Sequence, residues 1–180
     1  MRFGRYSYRV LQFWKALFAR PAGKDIEWAD SLLTPEQMAL FNRLHRSEQA
    51  HSIAVLSRIA QNNTTVSNEE EQDLFVAALL HDVGKILYPI RVWERVLIVL
   101  ANAWFPKRVK LWGSGEPLGW RRVFVVAEQH AEWGAQLAAQ AGASPLAAEL
   151  IRQHQNLSPQ NSNDRHIGLL RRLQAADQDS

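Results

Sequence analysis

The sequence predicts an all-α protein built as a single-domain helical bundle. Apolar residues recur three and four positions apart along most of the 180 residues, which is the pattern of amphipathic helices. No stretch alternates polar and apolar residues between turn signals, so we expect no strand. The chain is long enough to bury a core without covalent crosslinks, and it contains no cysteine, which excludes disulfides and thiolate metal sites.

Residues 1–24 carry six basic residues and no acid. We interpret this segment as a basic amphipathic N-terminal helix, because Tyr6 to Ala19 place large apolar side chains at helical spacing. Such a helix either packs on its own domain, which is the commoner case, or lies on a membrane surface, so we expect at most a weak membrane contact. The apolar positions are Val10, Phe13, Trp14, Leu17 and Phe18.

The next helices are predicted from residues that favour the beginning of a helix. A short helix is expected from Asp25 to Leu33, and Thr34 with Gln37 forms a capping box that opens another. Further along, residues four positions apart form a helical stripe that is predicted to face the core and that includes a histidine. That stripe consists of His51, Val55 and Ile59.

An unbroken apolar run from Leu74 to Leu80 predicts a helix buried on most of its circumference. We place His81 and Asp82 on its final turn, with Gly84 as a left-handed C-cap. An imidazole and a carboxylate at a buried helix end can hold a divalent cation. A capped, hydrogen-bonded helix end without a metal is the structural alternative.

A further helix is predicted from Arg91 to Phe105, followed by a loop from Lys107 to Pro117 that contains two glycines. This loop either closes over a phosphate or is a solvated connection. Basic residues cluster here and favour an anionic partner. They are Lys107, Arg108, Lys110, Arg121 and Arg122.

Beyond Trp120 the chain is predicted to be helical, in short pieces. Two of these helices repeat the pattern of a histidine on the apolar stripe, at His130 and His154. The last helix places Asp177 on one face with Leu170 and Leu173. Inward histidines and aspartates on separate helices are how helical bundles build metal sites.

The order of His51, His81-Asp82 and Asp177 resembles the HD superfamily of metal-dependent phosphohydrolases, with its most specific part at His81-Asp82-Val83-Gly84-Lys85. The resemblance covers about Thr34 to Asp177, so residues 34–180 are expected to form a bundle of the HD-domain type. The intervening histidines look like the further ligands of two-metal members. The Gly-Tyr-Pro motif of the cyclic-di-GMP phosphodiesterases is absent after His154, so that specificity is not carried over.

The resemblance implies the ligands of one or two divalent ions, of which Mn, Fe, Co, Zn or Mg would suit imidazole and carboxylate. A first ion would be held by His51, His81, Asp82 and Asp177. Asp82 would bridge to a second ion on His130 and His154. Lys85 would contact the substrate phosphate, although a basic residue near a helix C-terminus also has a purely structural use.

The function expected is hydrolysis of a nucleotide-like phosphoester by metal-activated water, with Asp82 and Lys85 as catalytic residues. The alternative is a catalytically silent HD-type regulatory or binding module. A third hypothesis, a peripheral membrane adaptor, rests on Tyr6 to Ala19 alone. We expect a phosphorylated small molecule or nucleotide as partner, no duplex nucleic acid, and a cytoplasmic location.

Overall fold

The computed structural model describes residues 19–61, 68–156 and 164–180. Within these ranges the chain is helical and forms no strand, so the predicted all-α class is confirmed. The predicted helix from Tyr6 to Ala19 falls outside the described residues except for its last position. The described α-helices are α1 (Gly23–Leu32), α2 (Pro35–Phe41), α3 (Arg46–Gln61), α4 (Asn68–Leu80), α5 (Val92–Trp104), α6 (Pro106–Trp112), α7 (Arg122–Gln140), α8 (Pro145–Gln153) and α9 (Asp164–Gln178), with 3-10 turns at Val83–Leu87 and Gly119–Arg121.

Helix α4 is the centre of the bundle and packs against α1, α2, α3, α8 and α9. This environment explains the apolar run from Leu74 to Leu80, because the neighbouring helices leave no solvent-exposed face for polar residues there. Leu74, Ala77, Leu79 and Leu80 are fully buried in the main core. The C-terminal end of α4 therefore carries the chain into the middle of the protein.

The capping box predicted for Thr34 and Gln37 is confirmed, while the helix predicted to begin at Asp25 begins two residues earlier, at Gly23. Thr34 Oγ1 accepts a hydrogen bond from the Gln37 backbone N–H at 3.3 Å, and Gln37 Oε1 accepts one from the Thr34 N–H at 3.1 Å. Ser144 Oγ accepts from the Ala147 N–H at 3.0 Å and opens α8. These side chains satisfy backbone donors that have no partner within the helix.

The predicted role of Gly84 as a left-handed cap is wrong. Positive φ angles among the described glycines occur at Gly115, Gly119 and Gly142, and α4 already ends at Leu80. His81 and Asp82 form the turn between α4 and the 3-10 segment Val83–Leu87 instead of the last helical turn. Gly84 is required for another reason: a Cβ there would lie 2.0 Å from the backbone oxygen of His130 in α7.

The predicted loop from Lys107 to Pro117 is also wrong in its first half, where the structure has helix α6. Pro106 occupies the first helical position, where its fixed φ favours a helix and its missing N–H costs nothing. Val109 then packs with Ala101, Val123 and Phe124 in a small second core between α5, α6 and α7. None of the described helices combines the length and apolarity needed to cross a membrane.

Candidate metal centre

The turn after α4 brings His81 and Asp82 into the protein interior. Their exposed fractions are 1% and 5%, values that titratable side chains reach only when something inside the protein compensates for lost water. The short 3-10 segment that follows packs tightly on α7, which carries His130. Backbone packing thereby fixes Asp82 and His130, which are far apart in sequence, against each other.

Three buried imidazoles are oriented by the same kind of hydrogen bond to the backbone. The Nδ1 atoms of His81, His130 and His154 lie 2.9, 2.9 and 2.7 Å from backbone carbonyl oxygens of their own helical turns. A carbonyl only accepts, so each Nδ1 carries the proton and each Nε2 keeps its lone pair. The rings gather around His154, with centroids 5.1 Å away for His81 and 5.4 Å for His130.

The first group of ligand atoms comes from α3, the turn after α4, and α9. Asp177 Oδ1 lies 2.8 Å from His51 Nε2 and 3.6 Å from His81 Nε2. One nitrogen or oxygen atom from each of the three residues falls within 4.8 Å of the other two. This is the spacing of atoms that share one ion, and 126 positions separate the ends of the group in sequence.

The second group of ligand atoms consists of Asp82, His130 and His154, and all three residues are buried. Asp82 Oδ1 lies 3.2 Å from His130 Nε2. The other oxygen of the same carboxylate, Oδ2, lies 3.6 Å from His81 Nε2 of the first group. The carboxylate of Asp82 therefore faces both groups, one oxygen toward each.

Lys85 completes the cluster from the 3-10 segment. Its Nζ donates a hydrogen bond of 2.6 Å to Asp82 Oδ2, and about a quarter of its side chain is exposed. Lys85 thus borders the buried site on the side that solvent reaches. A cation in this position can neutralise Asp82 and also meet an anion arriving from outside.

The electrostatics of the site keep the carboxylate of Asp82 charged and the imidazoles of His81 and His154 neutral. Burial alone would raise the pKa of Asp82, but Lys85, His81 and His130 outweigh it and hold that pKa well below its usual range. Burial lowers the pKa of His81 and, with the neighbouring His81 and His130 rings, lowers the pKa of His154 to about 3. Deprotonated ligands are the forms that bind metal ions.

The donor set fits divalent metal ions. The Nε2 atoms of His81 and His130 are buried and make no hydrogen bond within the described part of the chain, although leaving such atoms unpaired costs free energy. These unprotonated nitrogens face the carboxylate oxygens of Asp82. A cation bound between them would offset the cost of leaving them unpaired. Imidazole nitrogen and carboxylate oxygen suit Mn, Fe, Co, Zn or Mg.

A cavity of about 950 Å³ opens beside the second group, with His130 and Lys85 on its wall. Sequence reasoning missed two cations of this cavity, Arg95 and Arg152, because no motif or helical spacing marks either of them. Arg95 pairs with Glu48 at 2.6 Å, and Arg152 pairs with Glu132 at 2.9 Å. Both line the space next to the ligand groups together with Lys110.

The structure brings together every residue that the sequence pointed to, namely His51, His81, Asp82, Lys85, His130, His154 and Asp177. Comparison with protein families matches residues 49–179 to the HD domain. This range begins in α3 just before His51 and ends just after Asp177. Neither the curated proteins nor the solved structures gave a significant match.

Proposed function

Because the chain belongs to the HD domain family, whose members are generally metal-dependent hydrolases, we propose that it is a metal-dependent phosphohydrolase or phosphodiesterase acting on a nucleotide-like phosphoester. The observation that carries this proposal is the position of Asp82 between the two ligand groups, with Oδ2 3.6 Å from His81 Nε2 and Oδ1 3.2 Å from His130 Nε2. A carboxylate shared in this way is what a two-ion centre requires.

The ligands divide between two ions. His51, His81 and Asp177 would hold the first, His130 and His154 the second, and Asp82 would contribute to both. When bound, divalent ions there would activate water and stabilise the charge on the leaving oxygen of a phosphoester. The backbone carbonyls that fix Nδ1 of each buried histidine keep the metal-binding nitrogens aimed inward before any ion arrives.

Lys85 and the cavity supply the rest of the chemistry. With Nζ 2.6 Å from Asp82 and part of its side chain exposed, Lys85 can exchange its contact with the carboxylate for one with a substrate phosphate. The cavity beyond it is lined by Arg95, Lys110 and Arg152, which favour an anionic substrate. Its amide side chains, Asn102, Gln155 and Asn156, can hydrogen-bond a base or a sugar.

The test measures metal content and hydrolysis on the same preparation. Purified full-length chain is expected to contain one or two divalent ions and to hydrolyse at least one member of a panel of nucleotides and cyclic dinucleotides, with activity lost on chelation and restored by Mn, Co or Zn. Folded, metal-loaded protein that hydrolyses nothing in the panel would favour the catalytically silent binding module. Protein that neither contains these ions nor gains thermal stability on adding them would contradict the metal centre itself.

A further inference from the structure

Helix α5 directs both of its charged residues toward the protein, while several of its large apolar residues face solvent. Its two charged side chains, Glu94 and Arg95, pair inward with Arg122 and Glu48. Glu94 is only 6% exposed. This is the reverse of the usual surface helix, whose apolar stripe faces the core.

The outward face of α5 is a continuous apolar stripe, which consists of Trp93, Leu97, Leu100 and Trp104. These residues are 59, 40, 43 and 69% exposed. Their spacing of four, three and four positions places them on one side of the helix over about 17 Å of its length. A tryptophan stands at each end, and no charged residue interrupts the stripe.

Cations border the stripe where α5 meets α6. Lys107, Arg108 and Lys110 are exposed, and none of them makes an ion pair within the described ranges 19–61, 68–156 and 164–180. No acidic residue occurs between Arg95 and Gly115. An apolar face with a tryptophan at each end and unpaired cations at its border is matched by a surface that is apolar inside and anionic outside.

We propose that the apolar stripe of α5, with the cations of α6, binds the surface of an anionic lipid bilayer. Tryptophan is favoured at the boundary between headgroups and acyl chains, where one part of the ring is apolar and its N–H is hydrated. Leu97 and Leu100 between the two tryptophans enter the acyl region, while the α6 cations contact lipid phosphates.

The charge pattern argues against two other partners for this surface, a second copy of the chain and the N-terminal segment. A two-fold dimer through the stripe would bring the unpaired cations of α6 toward those of a copy of the chain, which is not a self-complementary arrangement. The N-terminal segment 1–24 would meet the same repulsion, because it carries six basic residues and no acid. For that segment an anionic bilayer is also the complementary partner.

The experiment is vesicle flotation of the full-length chain with phosphatidylcholine vesicles, with and without phosphatidylglycerol. We expect binding that requires phosphatidylglycerol. Leu97→Gln/Leu100→Gln removes only outward-facing apolar groups and should weaken partitioning at least about tenfold. Lys107→Gln/Lys110→Gln should weaken it by about fivefold for each lysine removed.

The matched control is Arg43→Gln/Arg171→Gln, which removes the same net charge from exposed positions on other elements. This variant should float like wild type. The proposal is overturned if wild type does not bind the anionic vesicles, or if the Leu97→Gln/Leu100→Gln variant binds as well as wild type. It is also overturned if light scattering shows that the wild type is a dimer, that Leu97→Gln/Leu100→Gln dissociates this dimer, and that the wild-type dimer does not float.

Discussion

Gly84 lies directly against the backbone of His130, so close that a Cβ on Gly84 would come within 2.0 Å of the His130 carbonyl oxygen and 2.7 Å of the Gly134 N. Only glycine allows the segment carrying Asp82 to approach α7 at this distance. The contact therefore sets the separation between Asp82 and His130, which both belong to the second group of candidate ligands.

The variant Gly84→Ala should consequently lose both stability and metal. The added methyl meets backbone atoms that cannot rotate away, so we expect a loss of at least about 1–3 kcal/mol in the free energy of unfolding. We also expect weaker binding of the second ion. Chemical denaturation and metal titration measure the two effects.

Gly168→Ala provides the control for Gly84→Ala. Gly168 lies within α9, and a Cβ there would meet nothing within 4 Å. Alanine is the better helix former by about 1 kcal/mol, so this variant should be as stable as wild type or slightly more so. Equal stabilities for the two variants would contradict the close approach at Gly84.

His154→Ala should lower the number of bound ions from two to one. His154 belongs to the second group, whereas the first group of His51, His81 and Asp177 stays complete. Metal content of the purified variant measures the change, and circular dichroism checks that it is folded. The exposed His45 is the control, because His45→Ala removes an imidazole that is in neither group. An unchanged metal count in His154→Ala would indicate a centre with one ion.

Much of the candidate site could be predicted from the sequence because its histidines sit on apolar helical stripes. An imidazole that replaces an aliphatic residue at an inward position must end in the core, whichever helices surround it. This reasoning located His130 and His154 without any knowledge of the packing. The resemblance carried by His81-Asp82 then grouped residues that no local pattern could connect.

What could not be predicted depends on contacts between distant elements. The sequence predicts Gly84 as a left-handed helix cap because glycine favours that conformation locally, while its actual constraint comes from α7, 46 or more positions away in sequence. The orientation of α5 was equally inaccessible, because its apolar residues cover more than one face. Its direction is fixed by the partners of Glu94 and Arg95.

Truncation after Ala176 should weaken binding of the first ion and leave the helical content nearly intact. Asp177 is the second-last residue of α9, so the truncation shortens that helix by two residues, about half a turn. It is nevertheless the carboxylate that faces His51 and His81, at 2.8 and 3.6 Å. Metal titration and circular dichroism measure the two quantities. Truncation after Gln178 keeps Asp177 and should bind like wild type, and equal affinities for both truncations would remove Asp177 from the ligand set.

The variant Asp82→Asn should abolish hydrolysis of any substrate found. The amide keeps the shape of the side chain but removes the negative charge that faces both ligand groups and Lys85. We expect lower metal content together with a loss of turnover below detection. Asp30→Asn, at an exposed position of α1, is the control for the loss of one carboxylate. If Asp82→Asn hydrolyses substrate like wild type, the chemistry lies elsewhere in the protein.

The metal-free protein should lose stability as the pH falls from about 6.5 toward about 3. Burial and the adjacent His81 and His130 rings lower the pKa of His154 from 6.5 to about 3, so in this range the unfolded chain binds a proton that the folded chain does not. Stability linked to His154 is therefore complete above pH 6.5 and declines as protons bind the unfolded state. The lowered pKa of His81 acts in the same direction.

Urea denaturation in the presence of a chelator, repeated between pH 7 and pH 4, measures this loss. We expect a decrease on the order of a few kcal/mol, because each unit of pKa shift corresponds to about 1.4 kcal/mol and the two histidines both contribute. His154→Leu removes one of the titrating groups, so its stability should fall less over the same range. The rings of His81 and His154 are 5.1 Å apart, so removing one also removes the repulsion that opposes protonation of the other. Wild-type stability that is the same at pH 7 and pH 4 would contradict the buried, neutral state of these imidazoles.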